Sequence, residues 1–237
     1  MKTVVGIPAR FGSSRFPGKP LAYLAGKPMI VHVVERALAA DVGPVIVATD
    51  DRRIAQAVEN TGATVCMTRS DHASGTERLA EAVADMECDV VVNVQGDEPL
   101  IDPEAIRAVI RPFESDQELP MATLAHPMES MKDLHDPHIV KVVCNARDHA
   151  MYFSRAAIPY PRGEAGVPLK HVGLYAYRKD FLLTYPKLAP CESELAEHLE
   201  QLRVLHHGYE IAVTVADFEG IGVDTPEDLA RAEKILS

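Results

Sequence analysis

Apolar residues recur along the first half of the chain in two alternating rhythms. Residues 2–7 are an unbroken β-rich run halted by Pro8, and 44–49, 63–67 and 89–94 are runs of the same kind, too short for helices. Between them the spacing becomes helical. Met29, Ile30, Val33, Val34, Ala37 and Leu38 share one face, as do Ile54, Ala57 and Val58, then Leu79, Ala82, Val83 and Met86, then Ile106, Val109, Ile110 and Phe113. Capping residues stand where these helices should begin: Asp50 or Asp51, Ser74 or Thr76, and Asp102 before Pro103. Apolar strands alternating with amphipathic helices predict an α/β fold with a parallel, doubly wound sheet. Ligands of such sheets bind beyond the carboxyl ends of the strands, so the loops after Ile7 and Val94 are where chemistry is expected.

From residue 121 the pattern becomes strand-rich, with runs at 121–126, 138–144, 149–153 and 171–178 around a Pro/Gly-rich loop at 159–168. A helix is expected over 193–207 with Leu195, Leu199, Leu202 and Leu205 inward and Gly208 closing it, followed by a strand at 210–216. Thr225-Pro226-Glu227-Asp228 opens a last helix with a cap, a proline at its first position and acids in its first turn. Without repeats or a low-complexity linker, the reading is one domain over 1–237 carrying a β-rich insertion at about 127–190.

Composition narrows the function. The 237 residues are 47% apolar and 25% charged, which excludes disorder, and no apolar run approaches the length of a membrane span. The N-terminal apolar stretch is too short for a secretory signal, so a soluble, cytoplasmic protein with no membrane partner is expected. Lys and Arg number 24 against 35 Asp and Glu, a net charge of −11 that disfavours a nucleic-acid partner. Yet the first acid is Glu35. Lys2, Arg10, Arg15, Lys19 and Lys27 precede it, so residues 1–34 carry +5 and the remainder −16. An acidic chain that gathers its cations in one loop is suited to a small anion there. The four cysteines lie tens of residues apart with no zinc or disulfide spacing, and Cys66 and Cys144 read as buried small hydrophobes.

The cationic loop reads Pro8-Ala9-Arg10-Phe11-Gly12-Ser13-Ser14-Arg15-Phe16-Pro17-Gly18-Lys19-Pro20. Its glycines let backbone amides approach an anion, and its Arg and Lys side chains supply charge-assisted donors. It is not a Walker A loop: five residues separate Gly12 from Gly18, and Pro20 stands where a magnesium-binding hydroxyl is required. It is a triphosphate loop of another kind, or a plain connection. In Val94-Gln95-Gly96-Asp97-Glu98-Pro99, Asp97 stands at a strand end where a carboxylate can hold Mg²⁺; the competing role, capping the next helix, already falls to Asp102. Asp224, just before the cap Thr225, is free to be a second carboxylate ligand, although alone it is an ordinary residue ahead of a helix.

These segments, with Cys66–Ala80, Tyr152-Phe-Ser-Arg155, Leu199–Leu205 and Gly222–Asp228, resemble the 3-deoxy-manno-octulosonate (Kdo) cytidylyltransferases, and the match runs from the first strand to the last helix. The resemblance implies a Rossmann-like nucleotidyltransferase fold, a homodimer, Mg²⁺ as cofactor, and transfer of CMP from CTP to Kdo for lipopolysaccharide biosynthesis. Arg10, Arg15 and Lys19 would neutralise the triphosphate, with Ala9, Ser74 and Arg78 near the cytidine. Asp97 and Asp224 would hold magnesium, making Lys19, Arg10, Asp97 and Asp224 the catalytic set. Gln95, Arg155, His171, Tyr175, Glu200 and Gln201 would face the sugar acid, and the insertion would form the sugar side and dimer contacts. Two stretches depart from the family pattern, a shorter loop at 159–170 and residues 191–197. Both fall on the sugar side and leave 8-amino-8-deoxy-Kdo open as the acceptor. A metal-dependent glycosyltransferase is the alternative enzyme class, and a non-catalytic sugar-nucleotide sensor is disfavoured by the intact lysine and carboxylates.

Overall fold

β1 (Thr3–Ala9) is buried at all seven positions, as the central strand of a parallel sheet must be. The computed structural model describes residues 1–12, 16–163, 166–218 and 222–236. The chain divides into two compact units, Met1–Arg107 with Gly220–Ser237, and Ala108–Glu219. The segment at 127–190 expected to be an insertion lies within the span of the second.

In the first unit β1 is followed by a small antiparallel hairpin, β2 (Tyr23–Leu24) and β3 (Lys27–Pro28). The alternation expected from the sequence then appears: α1 (Met29–Ala39), β4 (Val45–Thr49), α2 (Arg52–Val58), β5 (Thr64–Met67), α3 (Gly75–Val83) and β6 (Val90–Asn93), with α4 (Pro103–Ile110) leading out. Of the alternative caps, Asp51 accepts the amide of Arg53 and Ser74 accepts that of Glu77. β1 pairs in parallel with β4 on one side and β6 on the other, and β4 pairs in parallel with β5. The chain winds outward from β1 through β4 to β5 and then returns past β1 to β6. Its sense therefore reverses between β1 and β6, which brings the loops after these two strands together at a switch point. Gly96 makes the approach possible, since a Cβ there would lie 2.9 Å from the carbonyl oxygen of Pro8.

The second unit begins with α5 (Pro112–Ser115) and β7 (Met121–Pro127), then α6 (Met131–His135), β8 (Lys141–Cys144), β9 (Ala150–Ser154) and β10 (Leu169–Arg178). It ends with α7 (Lys179–Thr184), α8 (Glu192–Glu197), α9 (Gln201–His206) and β11 (Ile211–Val215). β11 runs parallel to β7, and the pairs β7–β10, β10–β8 and β8–β9 are antiparallel. The single helix expected over 193–207 is two short ones. His198, at φ 52°, turns left-handed after α8, and its amide bonds back to the carbonyl of Glu194. The break rotates Leu195 out to 63% exposure while Leu199 and Leu202 stay buried. Cys66 and Cys144 are only half-buried, Cys191 is the buried thiol, and none of these three is in a disulfide.

The last helix, α10 (Pro226–Leu236), returns to the first unit. Thr225 Oγ1 accepts the amide of Asp228 at 3.2 Å, and the Asp228 carboxylate accepts the amide of Thr225 at 3.0 Å, a reciprocal capping box. Val223 and Ala232 pack with Leu24 and Met29 in one apolar cluster, joined at its edge by Leu100, Leu229 and Leu236. This packing holds residues 222–224 against the switch point, where the amide of Val223 donates to the carbonyl of Asp97 at 2.8 Å.

Candidate active site

Three charged groups far apart in sequence meet where β1 and β6 end. Gly18 takes φ 72°, a left-handed conformation that turns the cationic loop and delivers Lys19 into a short 3₁₀ turn. Lys19 Nζ donates to Asp97 Oδ2 at 2.6 Å and to Asp224 Oδ1 at 3.1 Å. The lysine side chain is 12% exposed, while the two carboxylates are 34% and 48% exposed, so the acids open to solvent and the lysine lies behind them. Glu98 sits beside the pair. Its Oε2 is shut off from solvent and has no hydrogen-bond partner among the described residues. Burial, reinforced by the charges of Asp97 and Asp224 and opposed by Lys19, pushes its pKa up to about 7. The sequence places Glu98 in the motif, but its neighbours' negative charge, and so its shift, follow only from the fold.

Magnesium prefers hard oxygen ligands and is commonly held by one or two carboxylates, with waters and substrate phosphates completing its shell. Asp97 and Asp224 supply that donor set, and an ammonium lies between them, so the residues present fit the ion. Among the described residues no group of three or more His, Cys, Asp and Glu side chains forms a cage of its own. A two-carboxylate site completed by phosphate oxygens is the arrangement this chain can make.

The remaining described candidates of the first unit lie at the ends of β1 and β6 or in α3 and its cap. Ala9 is the buried last residue of β1 and Arg10 after it is exposed. Arg15 lies outside the described residues. Ser74 caps α3, and Gln95 Nε2 donates to Asn93 Oδ1 at 3.3 Å. Arg78 is buried, and its guanidinium is engaged with Thr68 Oγ1 at 2.6 Å, the carbonyl of Arg69 at 3.1 Å and Asp50 Oδ2 at 3.1 Å. It ties the ends of β4 and β5 together. A second clamp, missed in the sequence, holds the loop before α3: Glu81 pairs with His72 and with Arg69, whose Nε lies 3.2 Å away.

The other candidates belong to the second unit. Arg155 donates from Nε to the carbonyl of Glu197 at 2.8 Å and from Nη1 to that of Pro137 at 3.0 Å. Glu200 precedes α9, with its Oε2 3.4 Å from the Tyr185 hydroxyl. Gln201 is buried, and its Nε2 has no partner among the described residues, a donor available for a ligand. His171 and Tyr175 stack with ring centroids 5.4 Å apart, and Phe153 meets His171 edge-on at 5.0 Å. Thr123 Oγ1 gives its one proton to the carbonyl of Leu174 at 2.8 Å, so it accepts from His171 Nε2 at 2.9 Å. His171 is then neutral with its proton on Nε2 and a lone pair on Nδ1.

Burial holds the His171 pKa down at about 3, against 6.5 for the free side chain. Well above pH 6.5 neither the folded nor the unfolded state is protonated. As pH falls toward 3 the unfolded chain takes up a proton that the folded chain refuses, so stability drops. By pH 4.5 the loss attributable to this group is about 2–3 kcal/mol. Urea unfolding at pH 7 and 4.5 checks this: the wild type should lose about that much more than His171→Gln, and equal losses would refute it.

Fold and site together define the class, a nucleotidyltransferase, with a lysine and two carboxylates converging at the switch point of a parallel α/β sheet. Comparison with known proteins agrees. The cytidylyltransferase family model matches residues 4–211. The 3-deoxy-manno-octulosonate cytidylyltransferase of Syntrophotalea carbinolica is 52% identical, with the alignment covering 100% of this chain and 99% of that protein. That of Syntrophobacter fumaroxidans is also 52% identical, over 100% of this chain and 98% of its own. A solved CMP:2-keto-3-deoxy-manno-octonic acid synthetase complexed with CTP superposes with a TM-score of 0.95 at 48% identity, over 100% of this chain and 98% of that one. The chain belongs to the 3-deoxy-manno-octulosonate cytidylyltransferase family.

Proposed function

We propose that Asp97 and Asp224 hold Mg²⁺ while this chain transfers CMP from CTP to the anomeric hydroxyl of Kdo and releases pyrophosphate. The observation that supports this most directly is the convergence of Lys19, Asp97 and Asp224 within hydrogen-bonding distance at one strand-end site. Bound there, the metal would supply Lewis-acid stabilisation of phosphate charge and lower the pKa of a coordinated hydroxyl. The chain's own groups do the rest. Lys19, Arg10 and Arg15 bind the triphosphate and stabilise the charge that builds on departing pyrophosphate. Ala9 and Ser74 line the cytidine. Arg78 acts there by fixing the ends of β4 and β5, its guanidinium being committed to protein oxygens. Gln95, Arg155, His171, Tyr175, Glu200 and Gln201 are the residues assigned to the sugar acid, whose anomeric hydroxyl attacks the α-phosphorus in line. No covalent enzyme intermediate is required, and Ser74 is a cap rather than a nucleophile.

The chain works as a single nucleotidyltransferase domain in a homodimer, and CMP-Kdo leaves it for lipopolysaccharide biosynthesis. Use of CTP, a cytosolic nucleotide, puts the reaction in the cytoplasm, and among the described residues no helix is long and apolar enough to cross a membrane. The test is release of pyrophosphate from CTP and Kdo with Mg²⁺. CTP should outperform UTP and ATP, and Kdo should outperform 8-amino-8-deoxy-Kdo; faster turnover of the amino sugar would reassign the acceptor.

A further inference from the structure

The resemblance puts Lys19 on the triphosphate, yet its ammonium bonds the two carboxylates themselves, at 2.6 and 3.1 Å. A magnesium ion bonded to the same two oxygens at about 2.1 Å would occupy the space of that nitrogen. The two cations therefore cannot share Asp97 Oδ2 and Asp224 Oδ1. From this geometry, and resting on the reading of Asp97 and Asp224 as the metal ligands, we infer that Lys19 is an internal competitor of the metal: it holds the carboxylate pair until the nucleotide draws it away.

Electrostatics gives the direction of the switch. With Lys19 in place the three groups sum to −1, and a dication entering without nucleotide would meet an ammonium at contact distance in a partly dry site. A triphosphate brings about four negative charges at neutral pH, enough to attract Lys19 off the acids and to supply the oxygens that complete the metal's shell. Metal and CTP then bind with positive coupling, and by linkage each raises the affinity of the other equally. The arrangement discourages a bare divalent ion from occupying the site and makes metal entry conditional on substrate. It also gives one side chain two successive partners, the acids first and the phosphates second.

The test uses the full chain without CTP or Kdo and Mn²⁺ as the probe, with free Mn²⁺ read by electron paramagnetic resonance. Lys19→Met and Lys19→Gln, which keep most of the stem, should bind Mn²⁺ at least about tenfold more tightly than the wild type, the scale on which a like charge at this distance opposes a cation. Mn²⁺ should also raise the melting temperature of both variants more than that of the wild type, since each keeps the two facing carboxylates and lacks the Lys19 ammonium that bonds them. Lys19→Met combined with Asp97→Asn should lose the gain. Variants that bind Mn²⁺ no more tightly than the wild type, while Asp97→Asn still weakens binding, would overturn the competition and leave the metal site standing. Mn²⁺ binding indifferent to Asp97 in the Lys19→Met background would overturn the metal reading, and the competition with it.

Discussion

Asp97→Asn is expected to reduce pyrophosphate release from CTP and Kdo by at least about a thousandfold, the several kcal/mol that a correctly held metal contributes to phosphoryl chemistry. The substitution keeps the side chain's size, and apart from the Lys19 ion pair, for which Asp224 remains as acceptor, the contacts that build the corner do not depend on its charge. The amide of Val223 bonds to the backbone carbonyl of residue 97, and α10 is held by Val223, Ala232, Leu24 and Met29. Circular dichroism and the melting temperature should therefore stay near those of the wild type while kcat falls. Removing one negative charge also relieves Glu98, whose pKa is raised first by burial and next by Asp97. The variant should consequently lose less stability than the wild type between pH 5 and 8. A raised folded pKa means stability is full below the carboxyl's ordinary value and is lost as pH climbs through about 7. Robust turnover by a folded Asp97→Asn protein would remove this carboxylate from the metal role.

The parts of this site that could be read from the sequence share a cause. Strands buried on both faces leave continuous apolar runs, and helices leave a 3.6-residue stripe, so β1, β4 and β6 and the loops after them stand out from pattern alone. Asp51, Ser74 and Thr225 announce helix starts because a cap must be a short polar side chain. Other features leave no such mark. The turn at His198 uses a non-glycine residue at φ 52° inside an otherwise helical stripe, so periodicity runs straight through it. The boundary at residue 107 falls within α4, where neither Gly nor Pro signals a division. Arg78 could be recognised as important from its motif, but a motif does not tell a guanidinium facing substrate from one that braces two strand ends. That distinction is made by Asp50 and Thr68, which are 28 and 10 residues away in sequence.

Lys141 is the other position from which a large effect is expected. It lies in Val140-Lys141-Val142, where alternation would put a lysine on a solvent face, yet it is fully buried. Its three ammonium protons have three carbonyl acceptors: Asp136 at 2.9 Å, Ile139 at 2.6 Å and Arg155 at 2.6 Å. Burial lowers its pKa, and the charges of Asp136 and Glu197 pull it partly back. Lys141→Met fills much the same volume but leaves those carbonyls without their donor, a loss of roughly 3 kcal/mol in unfolding free energy. The damage should reach the sugar side, because the same network anchors Arg155. The Arg155 carbonyl bonds to Lys141, and its Nη1 bonds to Pro137 in the segment Lys141 ties down. KM for Kdo should therefore rise several-fold while KM for CTP stays nearly constant, a split that general loss of folded protein would not produce. Urea unfolding with steady-state kinetics in each substrate decides the matter. A variant as stable as the wild type would show that the carbonyls re-form their bonds elsewhere, and equal rises in both KM values would detach Arg155 from the sugar acid.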